Sequence, residues 1–117
     1  MGELIMMLFH ARTAAHVLHL KTRSYAAHAA LNSFYDGIVP LTDALAEAYQ
    51  GGYGLITDYP ARYTPYSEPL DLLNAVHEYI KKHRKSVCDA DCTHLQNIID
   101  EIVALTEATA YKLRFLK

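Results

Sequence analysis

The alternation of apolar and polar positions along this chain is helical almost throughout. Leu4, Leu8, Ala11, Ala15 and Leu18 recur at alternating spacings of four and three. That is one face of an amphipathic helix, which the spacing predicts over about 3–20. The polar run 21–24 is the only break before the next apolar pattern. Thr22 or Ser24 is placed to cap a second helix over about 24–50 by accepting a bond from a free backbone N–H. Its inner face reads Leu31, Phe34, Ile38, Leu41, Leu45 and Tyr49. Pro40 removes one hydrogen bond and its ring meets the carbonyl of Asp36. The apolar phase continues on both sides, which predicts a kink rather than a break. Gly51, Gly52 and Gly54 are expected to stop the helix.

The next stretch, 53–66, carries Tyr53, Tyr59, Tyr63 and Tyr66 with Pro60 and Pro65. A connection this long in a small domain needs a reason. One is a return along the length of a helix bundle, with the tyrosine rings pinning it down; a partner surface is the other. Ser67 or Glu68 followed by Pro69 starts a third helix, running to about 85 with Leu70, Leu73, Val76 and Ile80 inward. Its closing KKHRK places cations where the helix end is partly negative. Asp89 or Asp91, in the turn 88–92, is expected to cap a fourth helix that runs to the C-terminus. Its inward set reads Leu95, Ile98, Ile102, Leu105, Thr109, Leu113 and Leu116. Short turns make antiparallel neighbours, and one long crossover is the ferritin-like arrangement among four-helix bundles. The expected fold is therefore all-α: one ferritin-like four-helix domain over 1–117, with a long crossover between the second and third helices.

Composition narrows the function classes. The chain has 117 residues, a size suited to one domain, and half of them are hydrophobic. A formal net charge of −2 does not favour a nucleic-acid binder. No apolar run approaches the roughly 20 residues that span a bilayer, so no membrane partner is expected. The opening MGELIMMLFHAR reads as the first turns of a helix, because Glu3 stands where a signal peptide is positive. Two cysteines, Cys88 and Cys92, make no disulfide framework, which points to a reducing cytoplasm. With His83 and His94 they offer zinc ligands, but C-x3-C across a capping turn is not a zinc-ribbon spacing.

The chemistry concentrates in 16–47. His16 lies about one turn before the end of the first helix and His28 about one turn into the second, so an antiparallel hairpin sets them at one depth. Imidazole and carboxylate ligands suit iron, zinc and other transition metals. Asp43 and Glu47 are four apart and share a helix face. At about 100° per residue, Asn32, Asp43 and Glu47 all lie within about 100° of His28 around the second helix. Yet His28 and Asp43 are about 22 Å apart along it. A single ion can join the histidines to the acids only if the acids come from another subunit. Antiparallel two-fold pairing of the second helix supplies them, and symmetry makes two identical sites. His19, three residues from His16, reads as a solvent or interface histidine and a spare ligand. Tyr35 and Asp36 read as packing and surface residues.

The spacing H-x11-H-x3-N-x10-D-x3-E, followed by QGG, closely resembles the metal-binding signature of the Dps-type mini-ferritins, H-x11-H-x3-D-x10-D-x3-E. The closing YKLRFL is also similar to that family's last helix. The resemblance implies an Fe(II)-oxidising centre at a two-fold dimer interface, with His16 and His28 from one subunit and Asp43 and Glu47 from its mate. Asn32, where the family has an acid, is a weaker ligand or a hydrogen-bonding neighbour. Iron is the implied metal and zinc the substitute. The implied assembly is a homodimer through the second helix and beyond it a twelve-subunit cage. Val17 replaces the family's tryptophan, and the family's Lys-rich N-terminal tail is absent from this sequence, so DNA binding is not carried over. The chain also resembles short ferritin-like proteins of tailed phages, which would place it in host cytoplasm or virion. The rival expectation, favoured by Asn32, the shorter chain and the tyrosine-rich connection, is a non-catalytic helical assembly module that keeps the fold without efficient iron chemistry.

Overall fold

Four amphipathic stretches become four helices in the computed structural model, which describes residues 1–61 and 63–117. They are α1 (Gly2–Lys21), α2 (Tyr25–Tyr53), α3 (Pro69–Val87) and α4 (Thr93–Phe115). No strand occurs among the described residues. Each helix packs on two neighbours, in the order α1, α2, α4, α3 and back to α1. At about 1.5 Å per residue the 29-residue α2 is about 43 Å long. It therefore spans the molecule, whose extents are 44 × 26 × 22 Å.

The α1 periodicity translates directly into burial: Leu4, Leu8, Ala11, Ala15 and Leu18 are all buried, joined by Ile5 and Ala14. Alanines at 11, 14 and 15 keep the middle of α1 slim where its neighbours approach. Ser24 caps α2, its hydroxyl accepting from Ala27 N–H at 3.2 Å, while Thr22 accepts from Ser24 N–H. The core face of α2 is Ala30, Leu31, Phe34, Ile38, Thr42 and Leu45; Leu41 and Tyr49 are only half-buried. Pro40 is exposed and the helix continues through it, held by buried Phe34 and Ile38 on one side and Thr42 and Leu45 on the other.

Two helix ends differ from the sequence expectation. Gly51 and Gly52 do not stop α2; the helix passes through both to Tyr53 and is capped by Gly54, which alone among the described residues has positive φ, +96°. Neither Asp89 nor Asp91 caps α4, whose N-cap is Cys92 without a side-chain bond. In α4 the inward set is Leu95, Ile99, Ile102, Thr106, Thr109 and Ala110. Ile98, Leu105 and Leu113 are half-buried and Leu116 is exposed. In α3, Leu72 joins Leu73, Val76 and Ile80 in the core, while Leu70 is half-buried. The buried hydroxyls cost little because each donates to the carbonyl four residues back: Thr42 to Ile38, Thr106 to Ile102 and Thr109 to Leu105.

Contacts across the bundle fix its register. His77 of α3 meets Glu107 of α4, and Arg84 meets Gln96 and Asp100, so these two helices are antiparallel. The α2–α4 pair is antiparallel too: Leu105 covers Gly37, and the Tyr53 hydroxyl reaches the Cys92 thiol. Residues 54–68 form an irregular strap, within which Arg62 lies outside the described residues. Its first part is tied by Ile56 N–H donating to Gln50 Oε1. It then passes Gly2, where a Cβ would stand only 1.8 Å from the Asp58 carbonyl oxygen, and the Tyr63 ring lies edge-on to His10 farther along α1. No helix among the described residues is long and apolar enough to cross a membrane.

Phe34, the largest wholly buried side chain, is expected to dominate the stability of this arrangement. Phe34→Ala should lower the unfolding free energy by about 3–5 kcal/mol, and Ser24→Ala by about 1 kcal/mol. Urea titrations followed by circular dichroism measure both; an unchanged midpoint for Phe34→Ala would contradict the core described.

Candidate functional site

The polar residues singled out in 16–47 line the α1–α2 hairpin and the outer face of α2. The hairpin turn is tight, so His19 near the end of α1 and His28 near the start of α2 come to one depth. Each ring nitrogen Nδ1 faces the other residue's backbone: His19 Nδ1 to His28 O at 2.8 Å and His28 Nδ1 to His19 O at 2.9 Å. A carbonyl only accepts, so both Nδ1 atoms carry hydrogen and both neutral rings keep an Nε2 lone pair. The two rings stack with centroids 3.6 Å apart and planes 20° apart.

His19, expected at solvent or at an interface and as a spare ligand, lies at the α1–α2 interface, buried to 7% exposure, and pairs with His28 where His16 was expected. His16 instead stacks on Tyr35, with centroids 4.2 Å apart, and meets His19 edge-on at 5.8 Å. Tyr35 is more than packing. Its ring also meets His19, Arg12 lies over it at 5.8 Å, and its hydroxyl donates to Asn32 Oδ1 at 2.9 Å. Asn32 Nδ2 in turn donates to Asp36 Oδ2 at 2.8 Å. Asn32 is thus a bridging hydrogen-bonder within the chain. The involvement of His19 and Tyr35 had a faint sequence signal: each is one helical turn from a residue already singled out, on the same helix face.

Asp43 and Glu47 sit apart from this cluster. Both are exposed on α2, beyond the reach of the histidines of their own chain. Among the described residues no group of three or more His, Cys, Asp or Glu side chains stands close enough to hold a metal ion. The single chain thus carries two separated sets of donors: imidazoles at one end of α2 and carboxylates toward the other.

A second polar cluster closes the opposite end of the bundle. Cys88 and Cys92 are free thiols. Cys88 is buried and accepts from Gln96 Nε2 at 3.2 Å. Burial pushes its thiol up from the ordinary range, partly opposed by that bond and by Arg84, and reinforced by the charges of Cys92 and Asp89. Tyr53 is pushed up to about 12, chiefly by its hydrogen bond to Cys92, with lesser contributions from burial and from Cys92, Asp89 and Cys88 as charges. His83 lies tilted against Tyr79, and these residues do not gather as a zinc set.

In comparisons with known proteins, the model of a family of unknown function (DUF5856) matches residues 19–113. No curated protein matches the chain, and no solved structure does. The matched segment begins at His19 and takes in His28, Asn32, Asp43 and Glu47; His16 precedes it.

Two outcomes follow. The reciprocal bonds and the stack make His19 and His28 energetically coupled: a double-mutant cycle through alanine, read by urea unfolding, should give an interaction energy of about 1–2 kcal/mol. Additive losses would dismiss the latch. A disulfide reagent at mildly alkaline pH should react with Cys92 before Cys88, since burial and a raised pKa both reduce thiolate at Cys88. Denaturant should erase the difference, and peptide mapping after partial labelling reads the order.

Proposed function

The chain belongs to the DUF5856 family, and for it we propose a ferritin-like protein that binds Fe(II) between two copies of α2 and oxidises it with oxygen or peroxide. In this reading α2 pairs with its mate about a two-fold axis. His28 of one subunit, with His16 nearby, then faces Asp43 and Glu47 of the other. The ferritin-like topology is supported by the helix directions: α4 is antiparallel to both α2 and α3, which makes α2 and α3 parallel. The strap 54–68 must then return along the bundle. Its fifteen residues can span about 50 Å when extended, more than the 44 Å long axis.

One observation carries the site: His28 gives Nδ1–H to a backbone carbonyl. That is the outer bond by which metal-binding imidazoles are commonly oriented, and it leaves Nε2 as the lone pair. The carboxylates of Asp43 and Glu47 are exposed on the same side of α2 and are available to a facing subunit. Histidines and carboxylates together would hold Fe(II), the substrate, and the carboxylates favour the harder ferric product. His19 would hold the His28 ring from behind, by stack and by carbonyl. Zinc would compete for the same donors. Assembly beyond the dimer into a cage belongs to this reading as well.

A specific observation favours a second reading, a helical assembly module without efficient iron chemistry. Asn32, in the position of the mini-ferritins' acid, has its amide engaged by Tyr35 and Asp36. The two readings part on metal content and on mass in solution.

Fe(II) added under air should give ferric absorbance faster with the parent protein than with His28→Ala or Glu47→Gln, each slowed at least about tenfold. Mixing those two inactive variants should restore part of the rate, because a mixed dimer carries one intact site. Equal rates in parent and variants would remove the catalytic claim, and absence of rescue would remove the shared site. A dimer that takes up no metal would favour the assembly module.

A further inference from the structure

The region under the strap takes no part in the proposed iron site. There α1, α3 and the end of the strap line a half-open cavity of about 250 Å3. Its walls include Met7, His10, Thr64, Tyr66, Ala75 and Tyr79. Among the described residues, no side chain with a permanent charge lines it. His10 Nδ1 is buried and has no hydrogen-bond partner, the one such side-chain atom found among the described residues. Buried polar atoms in folded proteins are nearly always paired; His10 lines this cavity, and a turn of its imidazole opens Nδ1 to a guest that supplies the missing bond.

The geometry points to a binding site for a small, uncharged aromatic molecule bearing a hydroxyl, a ligand of the phenol class. Three features select that chemistry. The volume exceeds the roughly 150 Å3 at which an apolar cavity takes up benzene, and is small for a drug-sized ligand. The walls offer aromatic rings at Tyr66 and Tyr79 and a thioether at Met7, which favour an aromatic guest through edge and offset contacts. The polar groups, His10 and the Thr64 hydroxyl, are hydrogen-bonders without a permanent charge. A guest hydroxyl can donate or accept, so it satisfies His10 in either tautomer. Entry is through the strap: residues 57–59, 61 and 63–65 are exposed, and its better-packed points are Ile56 and Tyr66.

Phenol is the probe, with toluene as the apolar control. Titration followed by the Met7 methyl resonance should be saturable, with a dissociation constant on the order of 0.1–1 mM, and the phenol ring should give a nuclear Overhauser effect to that methyl. His10→Phe should weaken phenol at least about tenfold and leave toluene unchanged. Ala75→Phe, which fills the cavity, should abolish both, with folding checked by circular dichroism; the Met7 contact in the parent locates the site even if that variant unfolds. Phenol binding that fails to saturate, that shows no contact to Met7, or that survives in folded Ala75→Phe would overturn the proposal. Equal loss of phenol and toluene in His10→Phe would overturn the anchoring role of His10.

Discussion

Where α1 turns into α2, two histidines each donate a ring hydrogen to the other's main chain, and their rings stack. The bonds tie the end of α1 to the start of α2 through side chains. They engage the carbonyls of both residues beside an exposed turn and define the tautomer of both rings. They also settle the rotation of α1 against α2, because His19 can reach His28 only when one side of α1 faces inward. Leu18 enters the core beside it, and His16 is left to Tyr35. The local hairpin, the depth of the core and the aromatic cluster on the outer face thus share one cause.

Much of this was legible in the residues. The four-and-three spacing of α1 named its buried face, since a helix with one apolar stripe has one way to turn. Residues 53–66 stood out as a connection too long for an ordinary turn. What escaped lies where two readings have equal local merit. Ile98 and Ile99 are neighbours of equal hydrophobicity, and which faces inward is settled by the packing of α4 against α2 and α3. Thr106 and Thr109 look polar on paper, yet their hydroxyls bond to their own helix and they pack like valine. The glycines after Gln50 read as a stop because glycine weakens a helix. The last turn persists because the Tyr53 ring stacks on Tyr49 and its hydroxyl reaches Cys92.

The candidate site shows the same division. Spacing alone separated histidines from acids along one helix, because rise per residue is fixed. It could not choose between His16 and His19. Three residues of helix separate their directions by about 60°, and the choice depends on how α1 is rotated in the bundle. Tyr35 was only faintly signalled for a similar reason: its phenol ring fits a core, a surface or a stack equally well, and only the neighbouring imidazole decides.

The glycines at 51 and 52 have a further consequence. A Cβ at either would meet nothing within 4 Å, so no packing requires glycine there. Each costs the helix roughly 0.5–1 kcal/mol relative to alanine, close to the acid pair and far from the histidine latch. One helix thus carries a gradient of stiffness. Its histidine end is locked by two bonds to α1 and a ring stack, while its acidic end approaches a turn that gives way at low cost. A surface that must hold one set of groups in a fixed pose, and let a second set adjust to whatever faces it, has its rigid and compliant halves in that order.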